Sequence, residues 1–221
     1  MKKVALIVAG GSGKRMGNEI PKQFIELKGK PILMHTIETF FNFSHDIETI
    51  IVLPEIQING WKKICNKLDF TIPHFITEGG NTRFESVKNG LAMVSQEGIV
   101  FIHDGVRPFV SNATLTNCLN TAWEKGNAIP VIPVSESLRK VVDEKNKAVD
   151  RRLYRMVQTP QTFHSKIIKT AYLQDYNPLF TDDASVFESN GGIINLVPGN
   201  QENIKITYPE DLAIAKILLS K

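Results

Sequence analysis

Residues 3–17 have the sequence KVALIVAGGSGKRMG, and the fold class of the chain follows from this segment. Its first part, Val4–Val8, is a short apolar run, which is typical of a strand buried inside a sheet. Four glycines follow, beginning at Gly10, so backbone N–H groups can approach a ligand without a Cβ in the way. Open α/β sheets bind ligands at the carboxyl ends of their strands. The segment therefore predicts an α/β fold with a ligand site at this end of the first strand.

The alternation of apolar runs and amphipathic segments continues along the chain. It predicts strands at residues 3–8, 48–53, 71–76, 98–103, 128–133, 193–197 and 204–207. It predicts helices from Pro31, over 56–68, 82–94, 112–125 and 164–174, and from Pro209 to about Leu219. This order of elements indicates a Rossmann-like, mostly parallel sheet with helices on both faces.

Residues 135–159 depart from this pattern, because charged and β-branched residues alternate there without a core-facing apolar run. A polar turn at 144–147 divides the segment, which predicts a β-hairpin arm projecting from the main sheet. An isolated two-stranded ribbon is marginally stable in water, so docking on a partner is favoured over a loop folded back on its own subunit. We expect one domain over 1–221, with 135–159 as a subdomain for dimerisation.

The composition excludes several classes of protein. Hydrophobic residues make up 42% and charged residues 22% of the 221 residues, as in ordinary globular domains, so overall disorder is excluded. No apolar run approaches the ~18 residues of a membrane span, and the N-terminus does not resemble a signal peptide. We therefore expect a soluble, cytoplasmic protein with no membrane partner.

Cysteine spacing and net charge disfavour redox, metal-binding and nucleic-acid-binding proteins. Cys65 and Cys118 are the only cysteines, and their wide separation predicts buried free thiols rather than a redox or metal motif. The net charge of +3 suits small anionic ligands better than nucleic acid.

Basic residues accompany the first glycine loop at Lys14, Arg15 and Lys22. The loop is not a Walker motif, because Val8 occupies the first glycine position and Arg15 replaces the hydroxyl residue that binds magnesium. The dinucleotide fingerprint also fails, since Met16 stands at its third glycine. A glycine-rich turn with solvated lysines is the alternative, but basic residues this dense around glycines favour phosphate binding.

The loop 10–16, with Pro21-Lys22-Gln23, resembles that of nucleotidyltransferases that join a sugar or polyol phosphate to a nucleotide. Further matching segments follow in order: EGGNTRFESV (78–87), HDGVRP (103–108), VDR (149–151), TPQ (159–161), TDDAS (181–185) and NIKIT (203–207). Together they resemble the 2-C-methyl-D-erythritol 4-phosphate cytidylyltransferase family over nearly the whole chain. One glycine loop is a weak signal, whereas this ordered set is specific.

The resemblance implies an enzyme that joins CTP and methylerythritol phosphate and releases pyrophosphate, in the non-mevalonate route to isoprenoid precursors. It implies Arg15 and Lys22 as transition-state stabilisers, with Arg151 and Lys205 acting on the reacting phosphates. The residues that it implies in substrate binding are Gly10, Gly11, Ser12, Gly13, Gly80, Asn81, Arg83, Ser86, Asp104, Gly105, Arg107, Ser137, Thr159 and Thr181.

A divalent cation is also expected, Mg²⁺ first among those that would serve. Asp104 is the candidate ligand, and the alternative for its carboxylate is a bond to substrate hydroxyls. For His103 a structural hydrogen bond is favoured over catalysis. Lys205 is alternatively an edge-strand lysine that prevents aggregation.

Several of the matching residues also have plain structural interpretations. Asn81 or Thr82 is also typical of a helix cap, as are Asp182 and Asp183. The arm departs from the family, since Glu136-Ser137 replaces the usual Asp-Thr pair and Arg139 replaces the usual lysine.

Two other functions stay open at this point. A ribitol 5-phosphate cytidylyltransferase shares the early loop and the TPQ segment, but VDR and TDDAS favour methylerythritol phosphate. A catalytically silent CTP-binding regulator would use the same fold, but the presence of both Arg15 and Lys22 favours catalysis. The sequence gives still less support to an RNA-binding module, because the aromatic residues are not clustered among basic ones.

Overall fold

The computed structural model describes residues 2–10, 20–95 and 97–220. A mostly parallel sheet forms its centre. The strands are β1 Lys2–Val8, β2 Glu26–Leu27, β3 Lys30–Pro31, β4 Glu48–Leu53, β5 Phe75–Glu78, β6 Gly98–Asp104, β7 Asn127–Pro133, β8 Leu138–Val142, β9 Lys145–Val149, β10 Arg155–Val157, β11 Gln161–His164 and β12 Leu196–Pro198. The helices are α1 Ile32–Phe43, α2 Glu55–Lys67, α3 Arg83–Ala92, α4 Asn112–Lys125, α5 Ser165–Ala171, α6 Asp183–Ser189 and α7 Pro209–Leu218.

The main sheet has the strand order β10-β7-β11-β6-β1-β4-β5, and β12 pairs with β7. β1 lies between β4 and β6 and pairs in parallel with both, and β4 pairs in parallel with β5. β11 is antiparallel to β6 and β7. The carboxyl ends of β1, β4, β5 and β6 therefore meet at one edge of the sheet.

Alternate residues of β1 pack into separate hydrophobic cores on the two faces of the sheet. Ala5 and Ile7 belong to a core that α1, α2 and α4 cover. Val4 and Leu6 belong to a core that α3, α5 and α6 cover. A strand buried on both faces requires a continuous apolar run. The prediction of a mostly parallel sheet between two layers of helices is confirmed.

The edges of the sheet differ from the prediction. The predicted strand at 71–76 lies instead at Phe75–Glu78, and no strand forms over 204–207. Within residues 204–207, the Ile206 N–H donates to Val106 O over 3.0 Å. Its neighbour Ile204 bonds back to Glu202 O in a local turn, so no ladder is established. The short strand β11, Gln161–His164, was not predicted because polar residues form most of it.

The arm contains a two-stranded sheet of its own, formed by β8 and β9, with Leu138 opposite Val149 and Val142 opposite Lys145. Asp143 and Glu144 form its turn with φ of +46° and +64°, the backbone of a tight two-residue hairpin loop. The turn was therefore misplaced at 144–147. Residues 155–157 also differ, since they pair with β7 in the main sheet rather than with the arm.

Both cysteines lie in the interior. Cys65 and Cys118 are both free and buried, as predicted. Burial raises the pKa of the Cys65 thiol to about 11 and that of Cys118 to about 12, so both stay protonated. Across the described ranges, no helix is long and apolar enough to cross a membrane.

Candidate active site

A cleft of about 250 Å³ lies at the carboxyl edge of the sheet. Its lining comes from the ends of β1 and β6, the loop before α3, the turn after residue 20 and the segment before α7. The lining residues are Val8, Ala9, Gly10, Lys22, Gln23, Gly80, Asn81, Thr82, Arg83, Ser86, Asp104, Val106 and Lys205. Parallel strands thus bring together segments that are far apart in the sequence, at the edge where ligands bind in open α/β sheets.

The loop between β5 and α3 is held by a capping box. Thr82 is the helix cap: its hydroxyl accepts from Glu85 N over 3.1 Å, and the Glu85 carboxylate accepts from Thr82 N over 3.2 Å. The same carboxylate accepts from Asn81 N over 2.6 Å. A Cβ at Gly80 would lie 2.2 Å from the Glu85 Cβ, so this close approach requires glycine.

Ser86 lies behind this loop and shapes it. Its hydroxyl accepts from Gly80 N over 3.1 Å and donates to Thr82 O over 2.9 Å. The Ser86 hydroxyl proton is therefore engaged in a hydrogen bond to the backbone of the loop. Gly80, Asn81 and Thr82 of this loop line the cleft.

Asp104, the last residue of β6, is the central anion of the cleft. Its Oδ2 lies 3.0 Å from Lys205 Nζ and 3.3 Å from Arg107 Nε, and its Oδ1 lies 4.0 Å from Arg83 Nε. Burial alone would raise the pKa of Asp104, but these three cations outweigh burial and hold it well below its usual range. Asp104 is therefore a carboxylate at neutral pH.

Arg83 is anchored from behind the cleft. Its Nη1 and Nη2 donate to the two carboxylate oxygens of the fully buried Asp183 over 2.8 and 2.6 Å. Tyr172 Oη donates to the same carboxylate over 2.7 Å. Burial and the Asp183 charge raise the pKa of Tyr172 well above its ordinary value, so the phenol keeps its proton. Both terminal nitrogens of Arg83 are thus hydrogen-bonded to Asp183, behind the cleft.

His103 forms hydrogen bonds behind Asp104. Its Nε2 lies 2.9 Å from Arg107 O, which can only accept, so Nε2 carries the proton. Nδ1 then accepts from the Thr159 hydroxyl over 3.1 Å, and that hydroxyl accepts from Asp104 N over 3.1 Å. Burial lowers the pKa of His103 to about 4. These contacts agree with the structural role predicted for His103.

Several predicted site residues do not line the cleft. Ser137 and Arg151 are exposed in the arm, where the Arg151 guanidinium bonds to Ser135 O. Thr181 is exposed, and its N–H donates to Ser185 Oγ over 3.1 Å. Thr159, Gly105 and Arg107 lie immediately behind the lining. Gly11, Ser12, Gly13 and Arg15 lie outside the described residues.

Sequence reasoning missed other members of the site. Gln23 belongs to the Pro21-Lys22-Gln23 motif, which was the available signal, but it was not assigned a role. Val106 also lines the cleft. The contact of Asp183 with Arg83 spans 100 positions, and neither residue carries a pattern that would predict the pair. Of the two acidic residues at 182 and 183, Asp182 is the cap of α6 and Asp183 forms the ion pair.

The described side chains show how a divalent cation could be held at the site. Within residues 2–10, 20–95 and 97–220, no three His, Cys, Asp or Glu side chains are grouped so that they could hold a metal ion. Asp104 offers a carboxylate, but cations already surround it. These residues fit a Mg²⁺ ion that takes most of its ligands from phosphate oxygens and water, as is usual for this ion.

Comparison with known proteins gives one consistent result. A family model described as 2-C-methyl-D-erythritol 4-phosphate cytidylyltransferase matches residues 3–221. A relative of that name from Bacteroides fragilis is 50% identical over 219 residues, covering 99% of this chain and 100% of its own. Another from Porphyromonas gingivalis is 49% identical over 220 residues, covering 99% of this chain and 98% of its own.

Solved structures agree with the sequence relatives. The 4-diphosphocytidyl-2C-methyl-D-erythritol synthase of Anaerococcus prevotii superposes with a TM-score of 0.84 at 28% identity, over 100% of this chain and 96% of its own. The 2-C-methyl-D-erythritol 4-phosphate cytidylyltransferase of Thermus thermophilus has a TM-score of 0.78 at 29% identity, over 100% of both chains. The chain therefore belongs to the 2-C-methyl-D-erythritol 4-phosphate cytidylyltransferase family.

Proposed function

We propose that this chain transfers the cytidylyl group of CTP to the phosphate of 2-C-methyl-D-erythritol 4-phosphate. An anionic oxygen of the methylerythritol phosphate forms a bond to the α-phosphorus of CTP. The bond from that phosphorus to the β-phosphate oxygen breaks, and pyrophosphate leaves with the electron pair. The observation that carries the proposal is the convergence of Lys22, Lys205 and the loop before α3 on one cleft.

The reaction needs little acid–base chemistry, because its nucleophile is already ionised. Its barrier comes from bringing two anions together and from charge that builds on the transferring and leaving phosphates. Lys22 and Lys205 line the cleft and supply positive charge there. We assign Arg15 to the same task on the strength of its motif.

Asp104 has a specific part in this scheme. Its carboxylate, which three cations surround, forms an ion pair with Lys205 over 3.0 Å and so holds the ammonium group in the cleft. The carboxylate oxygens are also the acceptors in the cleft best suited to substrate hydroxyls. We assign the loop at Gly80–Thr82, which lines the cleft, to binding of the cytosine base.

We propose that Mg²⁺ binds together with the triphosphate and that Asp104 is its candidate protein ligand. When bound, the ion neutralises phosphate charge that the side chains alone leave uncompensated. Excess EDTA is therefore expected to abolish turnover, and added Mg²⁺ to restore it. Full turnover in excess EDTA would contradict this part of the proposal.

We further propose a cytoplasmic homodimer that forms through the arm. The support is the arm itself, in which Val141 and Val142 are 67% and 53% exposed. Apolar side chains on a marginal two-stranded ribbon are stabilised by a partner surface. The same arm carries Ser137 and Arg151, which the motifs assign to the polyol phosphate but which do not line the cleft.

Pyrophosphate release tests the proposed reaction. The purified chain is incubated with CTP, Mg²⁺ and either methylerythritol phosphate or ribitol 5-phosphate. We expect a higher kcat/KM with methylerythritol phosphate. Equal or greater kcat/KM with ribitol 5-phosphate would overturn the substrate, and no release with either would overturn the reaction.

A further inference from the structure

Gln23 is a polar residue held almost wholly inside the protein, with 1% of its surface exposed. Its Nε2 donates to Ala9 O over 2.7 Å and to Gln57 Oε1 over 2.5 Å. A backbone carbonyl can only accept, so the first bond fixes which end of the amide faces Ala9. Both amide hydrogens are then used, one on each partner.

These two bonds connect both ends of the glycine loop to one helix. Ala9 is the last residue before Gly10, and Gln23 directly follows Lys22, so the Gln23 amide bridges the entry and the exit of the loop. Gln57 lies in the first turns of α2. The Gln23 amide is therefore attached to helix α2 as well as to Ala9.

A second contact fixes the same turn to the same helix. Phe24 stacks on Trp61 with ring centroids 5.7 Å apart, and Trp61 is fully buried in α2. Gln57 and Trp61 are four residues apart, so they lie on one face of α2. The consecutive residues Gln23 and Phe24 thus meet neighbouring positions of that face, one through a polar contact and one through an aromatic contact.

The backbone between these anchors is a single tight turn that carries Lys22. Phe24 N donates to Pro21 O over 2.8 Å, and Ile25 N donates to Lys22 O over 3.2 Å. Lys22 is therefore attached to a turn whose next two side chains are both held by α2. Displacement of a catalytic group by about 1 Å can lower a rate by about 10², so this anchoring affects the chemistry.

We propose that Gln23 and Gln57 are positioning residues that hold the ends of the glycine loop together and fix Lys22 in place for phosphoryl transfer. This inference rests on the proposed function for the role of Lys22. Gln57 is the informative position, because it does not line the cleft and bonds to Gln23, the residue that follows Lys22.

Three variants of α2 separate positioning from general stability. Gln57→Ala removes the acceptor, and alanine is a good helix former, so folding should persist. Gln57→Glu keeps an acceptor oxygen. Asn59→Ala is the matched control, at an exposed position of the same helix. We expect Gln57→Ala to lower kcat by about 10-fold with little change in the Kd for CTP, and the other two to stay within about 3-fold of wild type.

A double-mutant cycle with Lys22→Ala decides whether the effect passes through Lys22. Coupled residues give non-additive effects, so Gln57→Ala should lower kcat little in the Lys22→Ala background. An undiminished loss there, or a wild-type kcat for Gln57→Ala alone, would overturn the proposal.

Hydrogen exchange provides a readout that does not depend on the reaction. The amides of Phe24 and Ile25 should exchange faster in Gln57→Ala than in wild type and should be unchanged in Asn59→Ala. If the chain released no pyrophosphate but these amides responded, the assigned reaction would fail while the anchoring stood. If the amides did not respond, the anchoring itself would be refuted.

Discussion

Lys22 is the described residue whose proposed role is most directly tested by substitution. It lines the cleft, and we place it against charge that develops only as the phosphoryl group is transferred. Lys22→Ala should therefore lower kcat by on the order of 10²–10³, the range for loss of one preorganised donor, with a smaller change in KM for CTP. Steady-state kinetics measure both.

Lys62→Ala is a suitable control for that experiment, because Lys62 is exposed on α2 and does not line the cleft. Its kinetics should match wild type. A steep rise in KM for CTP in Lys22→Ala, with kcat near wild type, would instead make Lys22 a residue that binds the ground state.

His103 predicts a pH dependence of stability at the same edge of the sheet. Its pKa is about 4 in the folded chain against an ordinary value of 6.5, so between these values the unfolded chain binds more protons. The contribution of His103 is thus fully present above pH 6.5 and is lost as the pH falls to 4. Its size is about 3 kcal/mol, from about 1.4 kcal/mol per unit.

Urea unfolding between pH 7 and pH 4.5 measures this contribution. His103→Gln should unfold with a free energy that falls less steeply with decreasing pH than that of wild type. Some slope should remain, because burial also lowers the pKa of His74. Equal slopes in the two proteins would show that His103 is not the titrating group.

At the residue scale, the sequence points to site candidates where a residue belongs to a local motif. Asp104 and Lys205 were selected from short segments, and the structure brings them within 3.0 Å of each other. Gln23 was passed over although it belongs to a motif, because its contacts with Ala9 and Gln57 lie 14 and 34 positions away. Hydrogen bonds at such separations have no periodicity from which they could be predicted.

At the scale of elements, the central strands were predicted well and the edges poorly. The strands at 48–53 and 98–103 match β4 and β6 within one residue, because burial on both faces demands an uninterrupted apolar run. An edge segment such as 204–207 is apolar enough for a strand. Whether it pairs depends on the tertiary neighbours it meets, and these leave no local signal.

Helix α3 offers an element-scale prediction because it packs unusually close to the sheet. A Cβ on Gly90 would lie 2.3 Å from Leu6 Cδ1 and 2.9 Å from Val52 Cγ2. Gly90→Ala should therefore push α3 outward and lower the free energy of unfolding by about 1–3 kcal/mol, as overpacking does. The loop at Gly80–Thr82 precedes the same helix, so KM for CTP should rise.

Gly60→Ala provides a control of opposite sign. Gly60 also lies inside a helix, but a Cβ there meets nothing within 4 Å. Alanine should raise the free energy of unfolding by up to about 1 kcal/mol, from helix propensity alone. Chemical denaturation of both variants compares the two directly. Stabilisation by Gly90→Ala would mean that α3 yields easily and that glycine is not needed for its packing.

At the scale of the whole molecule, the residues that the motifs assign to one site lie in two different places. Lys22, Asp104 and Lys205 meet at one cleft, whereas Ser137 and Arg151 lie in the exposed arm. A two-fold dimer in which each arm reaches over the neighbouring sheet would cover the exposed apolar residues of the arm and complete two sites at once. In that arrangement Arg151 would hold the nucleophilic phosphate of the partner's site.

Mixing two inactive variants tests the crossed arrangement. In a heterodimer of Lys22→Ala and Arg151→Ala chains with crossed arms, one site receives both substitutions and the other receives neither. One site in two should then recover activity. If each arm serves its own chain, every site carries one substitution and the mixture stays inactive. Because each variant alone gives the baseline, recovery that rises with measured subunit exchange can come only from a site built by two chains. Exchange without recovery would assign Arg151 to its own chain.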